Sequence, residues 1–114
     1  MDIEILRAIC KKMPFTTEDI KWGHDLAYSV GGKMFCVIEL DQSPTAVSFK
    51  VRDDQFDSLC QREGFKPAPY VARYKWVLVD DIRKLSKKEW NQFVRQSYEL
   101  VAAKLSIKTK KQLG

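Results

Sequence analysis

The sequence predicts an α+β domain in which an antiparallel sheet of about four or more strands carries its helices on one face. Three observations predict this class: amphipathic helical patterns at both ends of the chain, β-rich runs between them, and a glycine-rich turn between two of those runs. The predicted element order is αβββαβα. Because 114 residues suffice for one core and not for two, residues 1–114 are predicted to form a single domain.

The first predicted helix lies between Asp2 and Pro14, and its apolar residues recur at helical spacing. These residues are Ile5, Leu6, Ile9, Cys10 and Met13. Residues 15–19 are predicted to form a polar linker. We expect Trp22 in the core or at its edge, because an exposed indole would leave a large apolar area in water.

The first two strands are predicted at residues 26–30 and 34–40, which flank the sequence Gly31-Gly32-Lys33. This arrangement predicts a hairpin, since the two glycines supply the positive φ values that a tight turn requires. If Lys33 and Lys50 share an exposed side of the sheet, that surface is cationic.

A third strand is predicted at residues 46–51, after a turn at residues 41–45. Apolar and polar side chains alternate along it, so Lys50 is expected on the face opposite to Val47 and Phe49.

A short second helix is predicted after Asp53 and Asp54, which are expected to cap it, and Gly64 is expected to end it. Its apolar face consists of Phe56, Leu59 and Cys60.

The last strand is predicted at residues 74–79, and a long helix then begins at Ser86, whose spacing to Glu89 is that of a capping box. The buried stripe of this helix is predicted to contain Trp90, Phe93, Val94, Tyr98, Val101 and Leu105.

The composition is that of a water-soluble protein, with 45% hydrophobic and 31% charged residues. No apolar run is long enough to cross a bilayer and the first residues are acidic, so we expect a cytoplasmic protein. Cys10, Cys36 and Cys60 are expected to be buried thiols, since their spacing predicts neither disulfides nor a zinc site. With His24 as the only histidine, we predict no enzyme activity, no metal site and no cofactor.

The segment Gly64–Trp76 contains four aromatic residues, three cations and no acid. Aromatic rings can stack on bases and cations can neutralise phosphates, although the same residues could equally cap a core and point their charges to water. Residues 83–114 add nine Lys or Arg against two Glu. This asymmetry fits a surface for nucleic acid or another polyanion, and it also fits a solvated helix with a basic tail.

Six segments, in this order and at these spacings, closely resemble the MmcQ/YjbR family over nearly the whole chain. They are Lys21-Trp22-Gly23, Ser29–Phe35, Ser48–Val51, Gly64–Tyr70, Lys75-Trp76-Val77 and Ser97-Tyr98. The resemblance implies a fold like that of bacterial frataxin and a DNA-binding protein with a double-wing motif. The hairpin signals at Gly31-Gly32 and Ser43-Pro44 are the candidate wings, although the second one carries Asp41 and no cation.

We therefore expect DNA as the partner of a monomer, bound with weak sequence specificity because phosphate contacts dominate. The predicted contacts to phosphate are Lys33, Lys50, Lys66, Arg73 and Lys75, with Tyr70 and Trp76 as stacking residues. The frataxin-like fold also suggests a metal-binding or partner-binding module, but Asp2 and Glu4 are the only acids that the first helix offers. The other alternative is a small-molecule or protein-binding pocket lined by Trp22, Tyr70 and Trp76.

Overall fold

The computed structural model describes residues 1–113 and contains six strands and four helices in that part of the chain. The helices are α1 (Ile3–Lys11), α2 (Asp53–Cys60), α3 (Lys87–Ala103) and α4 (Ile107–Leu113). The strands are β1 (Thr16–Lys21), β2 (Asp25–Val30), β3 (Lys33–Glu39), β4 (Ala46–Lys50), β5 (Phe65–Pro67) and β6 (Trp76–Val79). All neighbouring strands pair antiparallel, in the order β1-β2-β3-β4-β6-β5.

The core lies between one face of this sheet and the helices α1, α2 and α3. Strand β4 shows why, because Val47 and Phe49 face the helices and are fully buried. Trp90 of α3 is also fully buried, and its indole N–H donates to the Ile82 carbonyl oxygen at 2.9 Å. The predicted α+β class, with an antiparallel sheet and helices on one face, is confirmed.

Two strands were not predicted. The expected polar linker at residues 15–19 is wrong, because Thr16–Lys21 pairs with β2 as the edge strand β1. This strand lacks apolar alternation because it lies at the edge of the sheet and is mostly exposed. The three residues of β5 form the other edge, so that the order αβββαβα becomes αββββαββαα.

Local capping follows the sequence at α3 and departs from it at α2. In α3 the Glu89 N–H donates to Ser86 Oγ at 3.1 Å, which confirms the capping box. Helix α2 already begins at Asp53, so that neither predicted aspartate is its cap. Gln55 Oε1 instead accepts from the Arg52 N–H at 2.8 Å, and the helix ends at Cys60, before Gly64.

The face of the sheet opposite the core is called the open face here. No α-helix of residues 1–113 covers it, but the segment 68–75, which contains a 3-10 turn at Ala72–Tyr74, crosses part of it. A small apolar cluster forms below that segment and consists of Ala27, Val37, Ala46, Ala68, Trp76 and Leu78. None of the helices described in residues 1–113 is both long enough and apolar enough to span a bilayer.

Candidate binding surfaces on the open face and at the basic end

A groove of about 630 Å³ lies on the open face between two loops, and we call it the open-face groove. Sheet residues form its floor, the turn after β1 forms one wall, and the start of segment 68–75 forms the other. The lining residues are Trp22, His24, Asp25, Met34, Val37, Glu39, Ser48, Ala68, Pro69, Tyr70, Val71, Trp76 and Leu78. The volume is in the range that is usual for small-molecule sites.

The first wall is a tight turn between β1 and β2. The His24 N–H donates to the Lys21 carbonyl oxygen at 3.2 Å, and both central residues have positive φ, 53° at Trp22 and 77° at Gly23. These values are those of a type I′ turn, in which the first central position favours Asn, Asp or Gly. Trp22 is 66% exposed, so its predicted place in or at the core is wrong.

Hydrogen bonds to residues of β6 and to residues at the end of β4 fix the position of the second wall. The Ala68 N–H donates to the Trp76 carbonyl oxygen at 3.0 Å, and the Val51 N–H donates to that of Lys75 at 2.8 Å. The Lys50 ammonium group also donates to the Tyr74 carbonyl oxygen. Tyr70 lies at the rim of this wall, with a positive φ of 69° and 99% exposure.

One end of the open-face groove is acidic. Asp25 is only 8% exposed. Its carboxylate oxygen Oδ1 lies within hydrogen-bonding distance of His24 Nδ1, at 2.8 Å. Asp41 lies 3.6 Å from the same nitrogen. The hydrogen bond to Asp25 raises the pKa of His24, and burial together with the charges of Asp25 and Asp41 raises the pKa of Glu39.

His24, Asp25 and Asp41 each offer one ligand atom, and these atoms lie within 4.8 Å of one another. The sequence did not reveal this group, because Asp41 is brought to His24 only when the turn after β3 folds beside the turn after β1. Hard divalent cations bind carboxylate oxygens as ligands, and transition-metal ions also bind the nitrogen atoms of imidazole.

The opposite end of the molecule is basic, and we call it the basic end. It consists of the turn between β2 and β3, which carries Lys33, and the segment 104–111, which contains Lys104, Lys108, Lys110 and Lys111. The two parts are in contact, because a Cβ atom added to Gly31 would lie 2.8 Å from Leu105 Cδ1 and 2.9 Å from Thr109 Cγ2.

The lysines of the basic end are exposed, and none forms an ion pair with any residue in the described range 1–113. The positive charge of the basic end also affects Lys50, the last residue of β4. Burial lowers the pKa of Lys50, and the charges of Lys104 and Lys75 lower it further against the opposing effect of Asp53. Lys50 lies at the same end of the sheet as Lys33, because it follows Phe49, which pairs with Cys36 near the start of β3.

The structure disperses the predicted nucleic-acid contacts. Lys33, Lys66, Tyr70 and Arg73 are exposed, and Lys75 is half-buried with its ammonium nitrogen 5.0 Å from the centre of the Phe56 ring. The other two predicted contacts, Lys50 and Trp76, are buried. Lys50 lies on the predicted face but is 8% exposed and bonded to Tyr74, while Trp76 is 8% exposed on the floor of the groove.

The cysteines lie away from the groove. Cys10 and Cys36 are buried free thiols in the core on the helix side, and Cys60 is a partly buried free thiol. His24, in contrast, lines the open face, so the sheet separates it from Cys36.

The profile of the family described as YjbR matches residues 11–100. The chain belongs to the YjbR family. The match includes Trp22, Tyr70 and Trp76, so that the whole open-face groove lies inside the family domain. The turn with Lys33 lies inside it as well, whereas the segment 104–111 follows the matched residues. No curated protein matches this chain.

The solved structures that are similar to this YjbR-family chain include those of two proteins. One is a Deinococcus radiodurans protein with a DUF419 domain, at 24% sequence identity and a TM-score of 0.86, covering 98% of this chain and 87% of its own. The other is a Pseudomonas syringae protein, at 17% identity and a TM-score of 0.73, covering 89% of this chain and 99% of its own. At these identities the likeness establishes the fold.

Proposed function

We propose that this YjbR-family protein is a cytoplasmic, non-enzymatic DNA-binding protein that contacts the phosphate backbone through its basic end. One observation carries the proposal: the lysine-rich segment 104–111 packs against the turn that holds Lys33. Cations from two distant parts of the sequence therefore lie at the same end of the molecule. The DNA-binding description of the MmcQ/YjbR family supports DNA as the polyanion.

The chemistry of the basic end favours backbone contacts over base contacts. Lysine ammonium groups neutralise phosphates and release condensed counterions, which gives an affinity that falls steeply with salt. Such contacts carry little sequence information, so the expected binding is weakly specific. Lys66 and Arg73, which are exposed, remain in the proposal as outlying contacts, whereas Tyr70 lines the open-face groove and is not part of the proposed DNA surface.

Lys50 and Lys75 were predicted to contact phosphate directly, but we propose that they contribute only through their positive charge. Lys50 is tied to the Tyr74 carbonyl oxygen and Lys75 lies against Phe56, so neither ammonium group is free to follow a phosphate. Their positive charges still add to the potential at this end, since partly buried charges are screened less than exposed ones.

The test is a fluorescence-anisotropy titration of labelled duplex and single-stranded DNA at two salt concentrations. The variant Lys33→Ala/Lys108→Ala removes one cation from each part of the basic end. We expect weaker binding and a slope of log affinity against log salt that is less negative by about 2, since each phosphate contact contributes about −0.9 to that slope.

The matched control is Lys87→Ala/Lys88→Ala, which removes the same charge from the start of α3. Both residues are exposed, and the 17 residues of α3 place them about 25 Å from its other end. The control should reduce affinity much less than the variant. Equal losses in the two double variants, or no binding of wild-type protein at low salt, would contradict the proposal.

A further inference from the structure

Trp22 is placed where folding alone gives no reason for a tryptophan. It occupies the first central position of a type I′ turn with φ of 53°, a conformation that is costly for a bulky residue. Its side chain is 66% exposed, so little core packing offsets that cost. An exposed aromatic residue in a strained backbone conformation is a candidate binding residue.

The side chain of Trp22 lines the open-face groove, where it can contact a ligand. Trp22 stands on one wall, Tyr70 stands on the other with its own positive φ of 69°, and Trp76 lies on the floor. Three aromatic side chains thus surround one cavity of about 630 Å³. Aromatic faces attract both apolar bodies and cations.

The charges of the groove decide between cationic and anionic ligands. The acidic and basic residues that line it are Asp25, Glu39 and His24, and no Lys or Arg of residues 1–113 is among the lining residues. Lys66 is near enough to lower the pKa of Glu39, but Asp25 and Asp41 act in the opposite direction together with burial. An arriving cation would relieve the repulsion between these carboxylates.

We infer that the open-face groove binds a small organic cation with an aromatic or apolar body, whose ammonium group lies at Asp25 and Glu39 and whose body lies between Trp22 and Tyr70, above Trp76. The apolar floor, with Val37 and Leu78, suits the body of such a ligand. The inference is independent of DNA binding, because the groove and the basic end are different surfaces.

The test uses three probes with the same ring system: naphthylethylamine, its neutral counterpart naphthylethanol, and the anion naphthylacetate. Binding is followed by NMR through the indole N–H signals of Trp22, Trp76 and Trp90, with EDTA present to remove divalent cations. Trp90 is an internal control, because it is fully buried on the other side of the sheet.

We expect the amine to shift the signals of Trp22 and Trp76 saturably, about 10-fold more tightly than the alcohol, because hydrogen bonds to charged groups contribute more than neutral ones. Naphthylacetate should bind most weakly. The isosteric change Asp25→Asn should bring the Kd of the amine within about 2-fold of that of the alcohol. Glu39→Gln repeats the test without removing the bond between Asp25 and His24.

Asp57→Asn is the charge-matched control, since Asp57 is an exposed residue of α2 outside the groove. It should leave the preference for the amine unchanged. Trp22→Asn should weaken the amine and the alcohol together, by about 5-fold, because it removes a ring that contacts the body of either probe. The inference is overturned if the alcohol binds as tightly as the amine, if the acetate binds best, or if Trp90 shifts together with the other two signals.

Discussion

The contact between the turn at Gly31-Gly32 and the segment 104–111 can be tested with two substitutions in adjacent residues. Gly31 has φ of 58° and Gly32 has φ of 80°, so alanine is disfavoured by the backbone at both positions. The surroundings differ. A Cβ at Gly31 would meet Leu105 and Thr109 side-chain atoms at 2.8 to 2.9 Å, whereas a Cβ at Gly32 has no atom within 4 Å.

The backbone and the packing predict opposite orders for these two variants. A φ of 58° is close to the left-handed minimum near +57°, so the backbone alone would make Gly32→Ala the more harmful change. Left-handed strain of about 1–2 kcal/mol is common to both. Overpacking adds about 1–3 kcal/mol only at Gly31, because Leu105 is 6% exposed and cannot turn away without repacking.

We therefore expect Gly31→Ala to lower the free energy of unfolding by about 1–3 kcal/mol more than Gly32→Ala. The assay is equilibrium unfolding in urea, followed by tryptophan fluorescence, with the m value compared between variants. A Gly32→Ala variant that is equally or less stable than Gly31→Ala would show that the segment 104–111 does not pack on this turn.

Three further predictions concern the sheet and the groove. Ser97 Oγ accepts from the Lys50 N–H at 2.9 Å and donates to the Phe35 carbonyl oxygen. Ser97→Ala leaves both buried groups without this partner, so it should lower the free energy of unfolding, measured in urea, by about 2–4 kcal/mol. A loss below about 0.5 kcal/mol would contradict this role. Trp22→Asn should change stability by less than about 1 kcal/mol, since relief of left-handed strain offsets the loss of partial burial, and a loss of about 3 kcal/mol would mean that Trp22 belongs to the core. His24 should titrate by NMR above the ordinary histidine pKa of about 6.5, because Asp25, Asp41 and Glu39 surround it, and Asp25→Asn should lower that pKa. Its contribution to stability is complete below the ordinary pKa and is lost as the pH rises through the raised one, so an unshifted titration would contradict the arrangement.

The elements that the sequence predicted are those whose signals are local. The hairpin at Gly31-Gly32 and the capping box of Ser86 and Glu89 depend on a few neighbouring residues, and both form as predicted. Strand β1 was missed because a polar edge strand carries no apolar alternation. The pairing that makes Thr16–Lys21 a strand comes from β2.

The candidate surfaces were less predictable because they depend on contacts between distant residues. Alternation placed Lys50 on the correct face, but only the fold shows that Tyr74 takes up its ammonium group and that segment 68–75 covers it. Trp22 was expected at the core because indoles are usually buried, and the type I′ turn exposes it instead. The pocket predicted from Trp22, Tyr70 and Trp76 does form, whereas its ligand stays a proposal.

The central claim is that DNA binds at the basic end, away from the open-face groove. The most direct measurement is a titration of isotope-labelled protein with a short DNA duplex, in which backbone amide and indole N–H signals are followed by NMR. The proposal predicts salt-sensitive shifts at residues 31–33 and 104–111, with the indole signals of Trp22 and Trp76 unchanged. Shifts at those two indoles with none at residues 104–111, or no shifts at low salt, would contradict it.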